Sequence, residues 1–167
     1  MKNGVWQLHL EQRLRAVLRL RQGGYSIAEL MVVLVVIGIL VATSAPFFVS
    51  YYQSAKVKAA AEDLAGYINQ ARQLAIRTNN NVCVQITATT LQFRQGGCAG
   101  AIWIGAGTDS LGNIKVPDGV TLVATSNPVF SYLGSATPAA TYTVTNIDTG
   151  LSLHVILSAS GRVTIGP

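Results

Sequence analysis

The chain has 167 residues and a formal net charge of +5, a length that suits one domain plus an anchor. The charge is unevenly placed: residues 1–24 carry Lys2, Arg13, Arg15, Arg19 and Arg21 against Glu11, whereas residues 25–167 hold seven basic and six acidic side chains. The basic balance therefore belongs to the N-terminal segment, and it excludes reading the rest of the chain as a broadly cationic nucleic-acid binder.

In that first segment Leu10, Leu14, Val17 and Leu18 form an apolar stripe among arginines. It reads as a short basic amphipathic helix on a membrane surface. Basic residues ahead of an apolar run place the N-terminus in the cytoplasm by the positive-inside rule. The segment ends in Gly23-Gly24, and Glu29 follows five residues after Gly24. No charge then appears until Lys56. Leu30 to Val49 is twenty uncharged residues, roughly 30 Å as a helix, the hydrocarbon thickness of a bilayer.

A plain single-pass anchor would satisfy that length. So would a secretory signal peptide, with its apolar region near Leu30–Val41 and Ala42-Thr43-Ser44 as the cut site. Neither explains Glu29, because a carboxylate beside an apolar span costs a few kcal/mol unless it is paired or held at the interface. The run Arg21–Val36 resembles the class III leader of type IV pilins and type II secretion pseudopilins. That resemblance implies cleavage by a prepilin peptidase after Gly24 and N-methylation of the new first residue, Tyr25, where most relatives have Phe. It further implies that Glu29 guides assembly by neutralising the free amine of a neighbouring subunit's Tyr25. Pro46 stands where these proteins commonly carry a proline. Inside a helix it removes a hydrogen bond at a cost of about 3 kcal/mol, which predicts a kink near Ala42–Pro46 and strain that assists extraction and packing.

Tyr51-Tyr52 reads as an interfacial aromatic pair. Beyond it Val57, Ala60, Ala61, Leu64, Ile68, Ala71 and Ala75 recur at three- and four-residue spacing, which predicts that the helix continues. Asn79-Asn80-Asn81 ends it, with Arg77 in the last turn. The expected element is one helix over about 25–78, half membrane-spanning and half soluble. From Asn81 the period becomes two. Val82–Ile86 and Leu91–Arg94 read as a hairpin across Thr87–Thr90. A glycine-rich stretch, Gly96 to Gly112, carries Ile102-Trp103-Ile104, and Pro117-Asp118-Gly119 is a turn. Val120–Ala124, Val129–Leu133, Thr141–Thr145, Leu151–Leu157 and Arg162–Ile165 are further strand candidates, with 127–140 partly loop. Helix first and antiparallel strands after define an α+β class, the long N-terminal helix packed on the sheet. Whether the strands after Gly112 form one sheet or two stays open.

The C-terminal part resembles a narrower group, the GspH/FimT-type domain of minor pilins. The resemblance covers residues 53–167. It rests on "QARQLAIRTNNNVCVQI", on a second cysteine before a tryptophan in "GGCAGAIW", and on the closing "HVILSASGRVTIGP". It implies a pilin-like roll and three regions: a leader over 1–24, a transmembrane and assembly helix over 25–52, and a periplasmic domain over 53–167. In an oxidising periplasm Cys83 and Cys98 are expected to pair, stabilising by about 3 kcal/mol through the short closed loop; two unpaired buried thiols are the alternative.

No catalytic set is present, and an enzyme is not expected. His154, the single histidine after the leader, sits at an alternating strand position. Two cysteines and one histidine lack zinc-site spacing. Gly107–Asn113 has one carboxylate, Asp109, too few for a calcium cage. No cofactor is implied.

Some FimT-type minor pilins bind DNA through a C-terminal Gly-Arg-x-Lys motif. This chain has Gly161-Arg162-Val163-Thr164, so the lysine is replaced by threonine, and each lost phosphate contact lowers affinity and salt dependence. Arg162 is a phosphate contact or a solvated arginine after a turn glycine; Arg94 and Lys115 are further candidates for such a patch. The resemblance implies a structural subunit of a type II secretion pseudopilus or a type IV pilus, held in the inner membrane with its C-terminal domain in the periplasm. Its expected partners are the prepilin peptidase, other minor and major subunits, and either DNA or secreted cargo.

Overall fold

The computed structural model describes residues 24–166, so the leader expected over 1–24 lies outside the described residues except for Gly24. The chain separates into two compact units, one ending at Pro46 and one beginning at Phe47.

Helix α1 spans Ile27–Thr78, 52 residues. Its start is built by Ser26, whose Oγ accepts from the Ala28 N–H at 3.3 Å and whose carbonyl accepts from Leu30 N–H. Glu29 lies in the first turn and Arg77 in the last, each of the sign that favours its end of the helix dipole. The helix ends on Asn79, held at φ 50°, a left-handed stop that asparagine tolerates better than most residues. The helical assignment runs unbroken through Pro46. The hydroxyls of Thr43 and Ser44 donate to carbonyls one turn back, at 3.0–3.2 Å, so polar side chains around the proline are satisfied inside the helix. The N-terminal part of α1 is long and apolar enough to cross a membrane, with an 18-residue window of mean hydropathy 2.6 that is entirely exposed.

In the second unit the same helix turns amphipathic. Val57, Ala60, Ala61, Leu64, Ile68, Ala71, Leu74 and Ala75 are buried, the stripe expected from the spacing with Leu74 added. Five of the eight are alanine or valine, and small side chains let strands approach the helix closely.

Ten strands follow: β1 (Val82–Ile86), β2 (Thr90–Gln95), β3 (Ala101–Ile102), β4 (Asn113–Lys115), β5 (Val120–Ala124), β6 (Val129–Phe130), β7 (Ala136–Thr137), β8 (Ala140–Asn146), β9 (Ser152–Leu157) and β10 (Val163–Gly166). They form two antiparallel sheets. The first runs β3-β2-β1-β6-β7, with β4 also paired to β2; the second runs β10-β9-β8-β5. The expected β1–β2 hairpin is present, with Val84 opposite Phe93 and Cys83 opposite Arg94. Both sheets turn one face onto α1. Val84, Phe93 and Phe130 enter the core from the first sheet, and Leu122, Tyr142, Val144 and Val155 from the second.

One expected strand is shortened, and short strands appear where none was expected. Within the glycine-rich stretch, Ala101–Ile102 form β3. Val129–Leu133 stops at Phe130, and residues 131–135 form a turn into β7. In that turn Ser131 N–H donates to Ser135 O and Gly134 N–H to Ser131 O. Strand β4 was not expected at all; it is three residues long and held by pairing with β2.

Candidate assembly surfaces and the Gly-Arg turn

Gly24 and Tyr25 precede α1 without regular structure, and Tyr25 is exposed. Glu29 projects from the first turn. Every residue from Gly24 to Ser50, Glu29 and Pro46 included, is exposed in the isolated chain. So large a continuous apolar surface requires a lipid or protein environment.

Cys83 and Cys98 form a disulfide with their Cα atoms 4.9 Å apart. Cys83 points to the face of the first sheet away from α1, yet it is fully buried, because the loop carrying Cys98 folds over it. That loop is also held by Gln85 Nε2 donating to Cys98 O at 3.2 Å and by Arg94 Nη1 donating to Gly100 O at 3.2 Å. Arg94 therefore serves the disulfide loop.

Gly161 and Arg162 lie in the β9–β10 turn. Ser158 closes it: its N–H and Oγ both donate to Arg162 O, and its Oγ accepts from Arg162 N–H. Gly161 is buried at φ 80°, and a Cβ there would collide with the carbonyl oxygen of Gly134. The glycine is thus required by contact between two turns, 131–135 and 158–162, which are also joined by Ala136 N–H donating to Ala159 O at 3.0 Å. Arg72 of α1 lies beneath both and donates from Nη1 to Gly161 O at 3.3 Å. Arg162 is exposed. The expected patch is not assembled around it. Lys115 pairs with Thr90 at the start of β2, whereas Arg94 is near that strand's end. From β2 to β7 there are three strand steps, roughly 15 Å.

His154 lies on the outer face of the second sheet, its Nδ1 3.2 Å from Thr143 Oγ1, a structural setting. Asp109 is satisfied by its own loop: Oδ1 accepts from the N–H groups of Leu111 and Asn113, and Oδ2 from Asn113 Nδ2. The Asn113 backbone bond is the main influence holding its carboxyl below the ordinary value. Among the described residues no three His, Cys, Asp or Glu side chains converge on a point.

Two residues escaped the sequence reading. Asn146 is fully buried; its Nδ2 donates to Gln53 Oε1 of α1 at 2.6 Å, and its Oδ1 accepts from Asp148 N–H. It shares the buried parity of Ala140, Tyr142 and Val144, which was the available signal. Arg72 gave none, since its partners are backbone atoms remote in sequence.

A long helix, apolar and exposed in its first half and packed under two antiparallel sheets in its second, defines the pilin class of subunit. A family model described as type II transport protein GspH matches residues 60–161, and one described as prokaryotic N-terminal methylation motif matches residues 19–45. No curated protein matches the chain in sequence. Among solved structures, the chain is similar to the type IV minor pilin FimU of Pseudomonas aeruginosa, at 18% identity and a TM-score of 0.51, covering 66% of this chain and 92% of that one. It is also similar to the minor pseudopilin EpsH of the type 2 secretion system of Vibrio cholerae, at 13% identity and a TM-score of 0.52, covering 66% and 95%. At these identities the two structures speak for the fold. The chain belongs to the GspH family of minor pilins and pseudopilins.

Proposed function

We propose that this chain is a minor filament subunit that is cleaved after Gly24, methylated on Tyr25 and polymerised through α1 to initiate or cap a short filament supporting protein secretion. The observation that carries the reading is Glu29 standing at the head of an exposed, charge-free stretch of α1, residues 30–52. Before assembly that helix spans the inner membrane, with the N-terminus cytoplasmic and the sheets periplasmic. Afterwards its apolar surface is covered by sister helices, and Glu29 meets the amine of a neighbour's Tyr25. The subunit's work is mechanical and recognitional, with no catalytic step.

A DNA-uptake role is the second reading and has weaker support. Arg162 is exposed, but Arg94 is committed to the disulfide loop and Lys115 lies elsewhere, while non-specific DNA binding needs several cooperating cations.

Intact mass of the membrane-extracted protein tests the proposal. The expected mass begins at Tyr25 and carries one added methyl group. A mass beginning at Met1, or after Ser44, overturns it.

A further inference from the structure

Helix α1 and the glycine-rich loop after β3 border a cleft of about 460 Å³, a size that suits a small ligand. Its helix wall is one stripe. Gln70, Gln73, Leu74 and Arg77 follow at three- and four-residue spacing, which puts them on a single face. Trp103 and Ala106 form the loop wall.

The loop wall is fixed in place. Trp103 N–H donates to Phe93 O at 2.9 Å, and the indole packs on the Phe93 ring with centroids 5.8 Å apart. Gly105 lies against the same indole, so closely that a Cβ there would collide with it. Thr108 closes the loop: its Oγ1 accepts from Gly105 N–H, and its own N–H donates to Gly105 O. Gln70 Nε2 donates to Ala106 O at 3.4 Å and ties the loop to α1. The indole is thus preorganised before any ligand arrives, which lowers the cost of binding. Among the described residues the one ion pair is Lys58–Glu62, so Arg77 has no carboxylate partner, and no carboxylate lines the cleft.

An indole, two side-chain amides and an unpaired guanidinium make a specific set. A pyranose ring turns C–H bonds to one face, which pack on an indole. Its edge carries hydroxyls, which both donate to amides and accept from them. The guanidinium fork fits a carboxylate. We propose that the cleft binds a sugar acid, a pyranose ring bearing a carboxylate. The ring lies on Trp103, its hydroxyls meet Gln73 and the Gln70 Oε1, and its carboxylate meets Arg77. A peptide fits less well, because no strand lines the cleft to pair with its backbone. The cleft lies wholly within the second unit, so the proposal is independent of cleavage, methylation and assembly.

The full-length chain, in a detergent without sugar head groups, is titrated calorimetrically with trigalacturonate and with its methyl ester. The acid is expected to bind, and the ester about tenfold more weakly. Arg77→Gln should bring the acid down to the level of the ester and leave the ester unchanged. Arg77→Lys keeps the charge at the helix end but not the fork, and should fall between. Gln73→Ala should weaken both probes alike. Arg77 and Gln73 are exposed, so these variants keep the fold, which circular dichroism checks. With Trp6→Phe, Trp103 is the one remaining tryptophan, and its fluorescence should shift as the acid binds. Galacturonate binding as tightly as the trimer places a free sugar in the cleft, and a need for the trimer places a chain there; both uphold the proposal. No binding of trigalacturonate, equal affinity for acid and ester, or indifference to Arg77→Gln overturns it. So does a polyglutamate or a single-stranded oligonucleotide that binds more tightly than the trimer through the same Arg77 and Gln73, which assigns the cleft to an acidic peptide or to nucleic acid.

Discussion

Gly161 and Arg162 are adjacent but do unrelated things. The glycine is buried against Gly134 at a positive φ; the arginine stands in solvent. Gly161→Ala should therefore destabilise the domain by about 1–3 kcal/mol, while Arg162→Ala should stay within about 0.5 kcal/mol of the parent. Thermal unfolding followed by near-ultraviolet circular dichroism measures both. Asp109 yields a pH prediction. Its folded value is depressed below the ordinary 3.8, so its stabilising effect is present in full above 3.8 and is lost as pH falls through the folded value. Amide exchange at Leu111 and Asn113 should accelerate over that acidic range, and Asp109→Asn should flatten the response. At this scale the sequence showed Glu29 and the two cysteines plainly, because each is a charged or reactive group in a setting that needs a reason. It showed that Gly161 matters but not why, since Gly134 is remote in the chain. Arg94 was read as a surface cation; its tie to Gly100 depends on a loop path that no local pattern encodes.

Among the elements, α1 and the β1–β2 hairpin were legible because periodicity of 3.6 and of 2 ran long enough to count. Strands β4 and β7 have three and two residues, too few for alternation; pairing with β2 and β6 makes them strands. The disulfide acts at this scale as a clasp on the outer face of the first sheet. Reducing it should cost about 3 kcal/mol and free the 96–100 loop from Gln85 and Arg94. The expected signature is increased proteolysis between Gly96 and Gly100 in reductant, with the β8–β9 hairpin unaffected.

For the whole molecule, composition and the charge-free run announced an apolar anchor joined to one domain. They left open the division into two sheets, because strand order is decided by long-range pairing: β6 leaves its sequence neighbour β5 to join β1. The packing of α1 under both sheets has a mechanical meaning. Its eight buried side chains, from Val57 to Ala75, lie in series along the axis, and the Asn146–Gln53 bond fastens the sheet to the helix about one turn before the first of them. A tug on the N-terminal end of the helix therefore reaches the sheets as shear, shared among many contacts at once. Loading of that kind resists rupture far better than peeling one contact at a time, as the proposed filament role would demand.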